Sequence, residues 1–344
     1  MKAVITGATG FIGGALAATL AESHWEVSVL VRPASRRKFS PEQAKRYHIV
    51  ESDLRDNPER WRDALTACDV VFHAAAIRNR WGTSPETYHQ VNVESTRRLL
   101  EAAIGRARRF VYVSSVGVLG QPGVLNIDES FPVRVSSDTS DYHSTKAEAE
   151  QLVMQRARDI EVVVVRPTIT YGPDDEDGML TRLIEMIARK RFIRVGDGRN
   201  HFHLTFINDL TRGLMLSGTH PAAPGQTFIL AGPSSIEVRE MIELICRLLG
   251  RAPSRLFVPE SLARVMGWGI EPVCRIGAAL KIRVLSSAPP ITCDKVDTLC
   301  MHRGFSSAKA ARLLGYVPHV GYKEGVARTI KWMVATHRLS VSQQ

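Results

Sequence analysis

The chain has 344 residues, 44% of them apolar and 23% charged, a balance that builds one large or two interdependent domains and excludes a disordered chain. The formal net charge of +10 favours anionic partners. The cations fall in short scattered groups such as Arg36-Arg37-Lys38 and Arg189 to Arg194, with no aromatic-interleaved basic tract, so no nucleic-acid partner is expected.

The first element is a short apolar strand, Ala3 to Thr6. It runs through Thr6-Gly7-Ala8-Thr9-Gly10-Phe11-Ile12-Gly13 into a helix, Phe11 to Leu20. Gly7, Gly10 and Gly13 let the turn close, let backbone approach a pyrophosphate and let the helix pack on the sheet, while the helix N-terminus offers free N–H groups to phosphate. A tight turn with no ligand is the plain alternative. The second strand, Val27 to Val31, is followed by Arg32 and then Arg36, Arg37 and Lys38, and no carboxylate occurs from Val27 through Ser40. An acidic residue at this place would bind ribose hydroxyls and favour NAD, whereas cations suit a 2′-phosphate. NADP is therefore favoured over NAD, the plain alternative being solvated loop charges.

Asp53 and Leu54 follow a third strand, where Asp53 either contacts an adenine amino group or caps a helix. Val70 to His73 is a strand, and Ala74-Ala75-Ala76 behind it are small enough for backbone to approach a cofactor, or are packing alanines. A helix from Glu94 to Ala103 leads to a strand, Phe110 to Val113, ending in Ser114-Ser115. The Ser115 hydroxyl can hydrogen-bond a reacting oxygen, or cap a turn. Tyr142 and Lys146, in YHSTK, open a helix that runs on from Thr145 to Arg158. Residues at i and i+4 share a helix face, so the phenol and the ammonium can act on one site, and the Lys field favours tyrosinate. Val162 to Val165 is a fully apolar strand. Continuous apolar strands alternating with helices imply an α/β fold, a doubly wound parallel sheet covered on both faces.

After Pro167 the alternation loosens and Gly and Pro become frequent. Helices are expected over Glu237 to Leu249 and Lys309 to Leu314, and Pro272 is expected to break any long helix across the basic amphipathic stretch Arg255 to Pro290. The five cysteines have no CxxC or zinc-type spacing, which points to free thiols, a reducing compartment and no metal. The opening strand leaves no room for a signal peptide, and no apolar run is long enough to span a bilayer. The expectation is a cytoplasmic protein that acts on a small molecule, with peripheral membrane contact disfavoured and a homodimer left open.

TGATGFIG, HAAA, VNVEST, SSVGVLG, YHSTK, RPTITYGP, TFINDL and FSSAKAARLLGYVP occur in the order seen in extended short-chain dehydrogenases/reductases, which the chain resembles over effectively its full length. The resemblance implies Ser115, Tyr142 and Lys146 as the catalytic trio. It implies a dinucleotide site at Gly7, Thr9, Gly10, Phe11, Ile12, Gly13, Arg32, Asp53, Leu54, Ala74, Ala75, Ala76, Tyr142, Lys146, Pro167 and Thr168. It also implies a structural or water-binding role for Asn92. The expected organisation is a Rossmann domain over 1–166 and a smaller, mostly helical substrate region over 167–335, from which the chain crosses back, with a tail over 336–344.

Two departures bear on the branch. Nucleotide-sugar dehydratases carry Asp-Glu after the catalytic hydroxyl residue, where this chain has Val116-Gly117. Nucleotide-sugar enzymes tend to have Asn where this chain has Ile169. The chain is more similar to the 3β-hydroxysteroid dehydrogenase and dihydroflavonol reductase branch. The expected function is NAD(P)-dependent interconversion of a secondary alcohol and a ketone on a largely apolar, sterol-like substrate, with a pocket partly formed by Leu256 to Pro290. A nucleotide-sugar epimerase and a non-catalytic cofactor-sensing protein are the alternatives.

Overall fold

A computed structural model describes residues 1–78, 82–120, 123–133, 141–254, 256–279 and 293–339. Its strands form where β-branched and aromatic residues cluster. They are β1 (Lys2–Thr6), β2 (Glu26–Val31), β3 (His48–Glu51), β4 (Cys68–His73), β5 (Ala107–Val113), β6 (Glu161–Pro167), β7 (Ile169–Tyr171), β8 (Arg194–Val195), β9 (His201–Phe202), β10 (Leu204–Phe206), β11 (Gln226–Leu230), β12 (Ile236–Glu237) and β13 (Phe257–Val258). The helices are α1 (Phe11–Glu22), α2 (Pro41–Arg46), α3 (Glu59–Leu65), α4 (Pro85–His89), α5 (Ser95–Ala103), α6 (Asp141–Gln155), α7 (Met179–Ala188), α8 (Ile207–Thr219), α9 (Val238–Leu248), α10 (Glu260–Ala279), α11 (Cys293–Cys300), α12 (Ala308–Leu314) and α13 (Tyr322–Ala335).

Seven strands make one parallel sheet in the order β11-β6-β5-β4-β1-β2-β3. Strand order reverses between β1 and β4, and the crevice outside their carboxyl ends is where ligands of open α/β sheets bind. Successive strand residues feed opposite faces. Ile5, Val29, Phe72, Val111, Val163 and Val165 join Leu16 of α1 and Leu214 of α8 on one side. Val4, Leu30, Val71, Phe110, Val162 and Val164 join Trp61 of α3, Leu99 of α5 and Val153 of α6 on the other. A further core is built on α7, α9 and α13 around Tyr171, Ile184, Phe206, Met241, Ile245 and Met333, with Phe11 and Ile12 packed against its edge.

One sequence expectation fails here. α10 runs unbroken through Pro272 to Ala279. A proline inside a helix removes one N–H donor and strains one turn, and a long helix accommodates that with a kink.

At the switch point a buried imidazole ties β1 to β4. Thr96 Oγ1 donates to the Asn92 carbonyl (2.7 Å) and so accepts from His73 Nε2 (2.8 Å). With Nε2 carrying the proton of a neutral ring, Nδ1 is an acceptor, so Thr6 Oγ1 donates to it (2.7 Å) while accepting the Ala75 N–H (3.2 Å). Every group in the chain is satisfied only by the neutral Nε2–H tautomer.

Burial holds the His73 pKa down at about 3. Because the folded value lies below the ordinary one, the unfolded chain takes up the proton first. The stability from this group is full above about pH 6.5 and is lost as pH falls toward 3, with a slope approaching about 1.4 kcal/mol per pH unit. Urea unfolding between pH 7.5 and 5 should show this slope, and His73→Gln should reduce it. An unchanged slope in the variant would remove His73 from the account.

Candidate active site

The glycine turn is locked by its own backbone. Gly7 has φ +76°, a left-handed conformation, and a Cβ there would lie 2.7 Å from the Ala75 nitrogen. A Cβ on Gly13 would lie 2.4 Å from the Gly7 carbonyl oxygen. Those two glycines are demanded by packing within the protein. Gly10 differs: it is exposed, and a Cβ there would meet only the Gly7 oxygen, at 3.3 Å. α1 starts beyond it with no side-chain cap and no acidic residue in its first turn, so its N–H groups are open to an anion. Thr9 is partly buried, and Phe11 and Ile12 spend their side chains on packing. Ala74, Ala75 and Ala76 line the opposite wall, with Ala74 N donating to the Thr6 carbonyl at 3.3 Å. An open cradle bounded by bare backbone and small side chains fits a dinucleotide pyrophosphate.

Toward β2 and β3 the groups are more engaged than sequence reasoning anticipated. Asp53 is gripped by Arg55, with Nη2 at 2.7 Å and Nε at 3.0 Å, and this partner holds the carboxyl below its usual range, aided by the charge of Arg32. Leu54 packs against the core on the α3 side. Arg32 is exposed at the carboxyl end of β2, while Arg36 approaches Glu51 at 3.6 Å. Pro167, the last residue of β6, and Thr168 behind it are buried, and Thr168 Oγ1 meets Thr205 Oγ1 at 2.6 Å.

The catalytic candidates converge on α6. This helix begins at Asp141, ahead of the expected start, so Tyr142 and Lys146 lie on one helical face. Lys146 is only 2% exposed; its Nζ donates to the Val113 carbonyl at 2.6 Å and lies 4.1 Å from the centroid of the Tyr112 ring. Burial lowers its pKa to about 7, against the pull of Glu150. Glu150 is itself buried, accepting from Ser114 Oγ (2.9 Å) and from Arg166 Nε (3.1 Å). Tyr142 is half-buried, and the protein around its hydroxyl raises the pKa to about 12 while the charge of Arg78 opposes the shift. Ser115 Oγ accepts from the Gly117 N–H at 3.0 Å and caps a short helical turn over Val116–Leu119. That turn packs on α6, because a Cβ on Gly117 would fall 2.1 Å from His143 Cε1.

Sequence reasoning assigned no role to His143 or Asp175, which lie near this site beside Asn92, the residue expected to be structural or water-binding. His143 lies against Tyr142, ring centroids 5.0 Å apart, and burial lowers its pKa to about 4. Its signal was the glycine at 117 that makes room for it. Asn92 sits in a π-helical turn, Gln90–Glu94, between α4 and α5. Its Oδ1 accepts from Ile77 N (2.9 Å), and its Nδ2 donates to the Ile77 carbonyl (3.3 Å) and to Thr145 Oγ1 (3.1 Å). Such turns inside helices often mark functional sites. Asp175 is 1% exposed, its Oδ2 has no hydrogen-bond partner among the described residues, and it fills the space left by Gly178. Burial raises its pKa to about 6. Among the described residues no cluster could hold a metal, and no helix is long and apolar enough to cross a membrane.

The segment expected to wall an apolar pocket is described only in part, since 280–292 lie outside the described residues. α10 buries Ala263, Gly267 and Cys274 and turns Leu262, Val265, Met266 and Trp268 outward, the last 81% exposed.

The profile of the NAD dependent epimerase/dehydratase family matches residues 3–231. The chain is 30% identical to the 4-hydroxy-2-methyl-3-oxo-4-farnesyl-3,4-dihydroquinoline-1-oxide ketoreductase of Stigmatella aurantiaca, covering 95% of each chain. It is 31% identical to the 2-alkyl-3-oxoalkanoate reductase of Stenotrophomonas maltophilia, over 95% of this chain and 98% of that one. The crystal structure of UDP-glucuronic acid 4-epimerase from Bacillus cereus superposes with a TM-score of 0.76 over 98% of this chain and 100% of that one, at 22% identity, a likeness of fold alone.

The two kinds of glycine should separate experimentally. Gly10→Val should keep the circular dichroism and melting of the parent protein but lose dinucleotide binding in a fluorescence titration. Gly13→Ala forces a side chain into the Gly7 carbonyl and should lower the melting temperature as well. Retained dinucleotide affinity in Gly10→Val would remove the turn from the binding site.

Proposed function

We propose that this chain, which belongs to the NAD dependent epimerase/dehydratase family, is an NAD(P)-dependent oxidoreductase that interconverts a secondary alcohol and a ketone on a largely apolar, sterol-like substrate. The observation that carries this reading is the convergence on α6. Tyr142 and Lys146 share one face, and the turn capped by Ser115 packs against the same helix through Gly117 and His143. A nicotinamide dinucleotide, when bound in the glycine cradle, supplies the two-electron carrier.

The chain's own groups supply the rest. Tyr142, with a pKa of about 12, is a neutral phenol at pH 7 and suits proton donation to an oxygen gaining negative charge. Lys146 sits near its midpoint at neutral pH, and its ammonium form favours a negative oxygen at Tyr142. Ser115 orients the reacting oxygen through its hydroxyl. Two relatives matched over nearly their full length, one named for a farnesylated quinoline oxide ketone and one for a 2-alkyl-3-oxoalkanoate, support an oxo group in an apolar frame. Val116-Gly117 stands where nucleotide-sugar dehydratases carry Asp-Glu and Ile169 where nucleotide-sugar enzymes tend to carry Asn, and an apolar side chain solvates a pyrophosphate poorly.

NADP is the favoured cofactor, because Arg32 is exposed at the end of β2 and no carboxylate follows that strand before Ser40. Turnover of ketones, sterols and nucleotide sugars with both cofactors, read as absorbance of the reduced nicotinamide, tests the whole reading. Micromolar binding of a nucleotide sugar with epimerisation and no net cofactor consumption would overturn it.

Tyr142→Phe should lower turnover by about 10²-fold or more with little change in cofactor affinity, and turnover near the parent value would sink the assignment. Arg32→Asp should shift the preference from NADP toward NAD, since repulsion replaces attraction for the 2′-phosphate. A parent protein that binds NAD more tightly than NADP at equal salt would show this part of the reading to be wrong.

A further inference from the structure

We propose that Tyr112 is a positioning residue for the alcohol–ketone reaction: the face of its buried ring holds the Lys146 ammonium at the carboxyl end of β5 and keeps it charged. This rests on the oxidoreductase reading, in which the Lys146 ammonium favours a negative oxygen at Tyr142. Lys146 is 2% exposed, so its ammonium has lost its water. Among the described residues it makes one hydrogen bond, to the Val113 carbonyl at 2.6 Å. An ammonium has three donors, and one acceptor does not replace a hydration shell. The second contact is the Tyr112 ring, whose centroid lies 4.1 Å from Nζ. An aromatic face carries negative potential, and its attraction for a cation strengthens when both are out of water.

The ring is fixed by its strand. Tyr112 is fully buried in β5, opposite His73 of β4 and Val164 of β6, and packs with Ala149 and Val153 of α6. Its hydroxyl is buried with no hydrogen-bond partner among the described residues. An unpaired buried hydroxyl is a cost, so hydrogen bonding does not hold this residue here. What it offers Lys146 is the ring face. The titratable groups around Lys146 come from three elements. The His73 imidazole of β4 lies against the Tyr112 ring, centroids 5.8 Å apart, and burial keeps it neutral. On α6, Tyr142 and Glu150 stand one turn before and one turn after Lys146. Glu150 is shared with Arg166 of β6 and with Ser114, which divides its charge among several partners. Burial draws the Lys146 pKa down to about 7, so a contact that favours the ammonium decides how much of it is charged near neutrality.

The test reads Lys146 directly. In full-length protein carrying isotope-labelled lysine and no cofactor, the Lys146 Cε resonance is identified by its loss in Lys146→Met and titrated with pH. Tyr112→Phe keeps the ring face and drops the hydroxyl, so the midpoint should stay. Tyr112→Leu removes the face, so the midpoint should fall by about one pH unit or more, the worth of a desolvated cation–π contact. A leucine also leaves a gap, so phenylalanines with one, two and three ring fluorines are placed at 112 as well. They keep the shape while weakening the face, and should lower the midpoint stepwise. The ammonium is the supporting form, so reduction of cholestanone or 2-decanone should fall off with rising pH at progressively lower pH in the same order. An unchanged midpoint across the fluorinated series, or a fall in Tyr112→Phe as large as in Tyr112→Leu, would overturn the ring's role and leave the oxidoreductase reading standing. The expected midpoints in a protein that turns over no alcohol or ketone would overturn that reading, and the positioning role with it.

Discussion

The Lys146 ammonium is buried at the carboxyl end of the sheet, and much of the architecture follows from having to keep it there. A cation out of water needs both a hydrogen-bond acceptor and a compensating charge. The Val113 carbonyl provides the first. Glu150, one turn further along α6, provides the second, and its own carboxylate is then satisfied by Ser114 and Arg166. The network joins α6 to β5 and β6, because Val113 ends β5, Ser114 follows it directly and Arg166 belongs to β6. Tyr142 inherits its position from that anchorage. A network of this kind specifies geometry strongly, since each missing partner would leave a buried polar group unpaired.

The same logic extends across the cofactor crevice. His73 is satisfied only as a neutral tautomer between Thr6 and Thr96, which fixes the ends of β1 and β4 relative to the helix carrying Asn92. Asn92 in turn bridges the loop after β4 to α6. The glycine turn and the catalytic helix, far apart in sequence, are thus connected through hydroxyls, an imidazole and an amide rather than through apolar contact alone. Rigid support of this sort keeps reacting groups within the small displacements that catalysis tolerates.

Much of this was legible in the amino-acid sequence, for definite reasons. The strand–turn–helix at Gly7 to Gly13 is a local device, and so is the i, i+4 pairing of Tyr142 with Lys146, so neither needed tertiary information. β11 was not anticipated, because Gln226–Leu230 lies among the glycines and prolines of the second half and becomes a strand by pairing with β6. The partners of Asp53, Lys146 and Gly117 were hidden because they belong to packing: Arg55 folds back on its neighbour, Glu150 is buried by Arg166, and His143 occupies the space of an absent Cβ. Pro272 misled in the opposite direction, since a proline weakens a helix at one turn without having to end it.

The place of β11 has a consequence for synthesis. β6 carries the run Val162–Val165 and pairs with β5 on one side, and among the described residues its other side is paired by β11, which begins at residue 226. As the chain emerges N-terminal part first, the edge of a valine-rich strand stays uncovered until some sixty further residues have been made. An apolar strand edge with free N–H and C=O groups is a template for pairing with other chains. During translation the molecule therefore passes through a stage in which this aggregation-prone strand is already built and its cover is not, and a ribosome stalled in this interval would leave a sticky nascent chain for chaperones to shield.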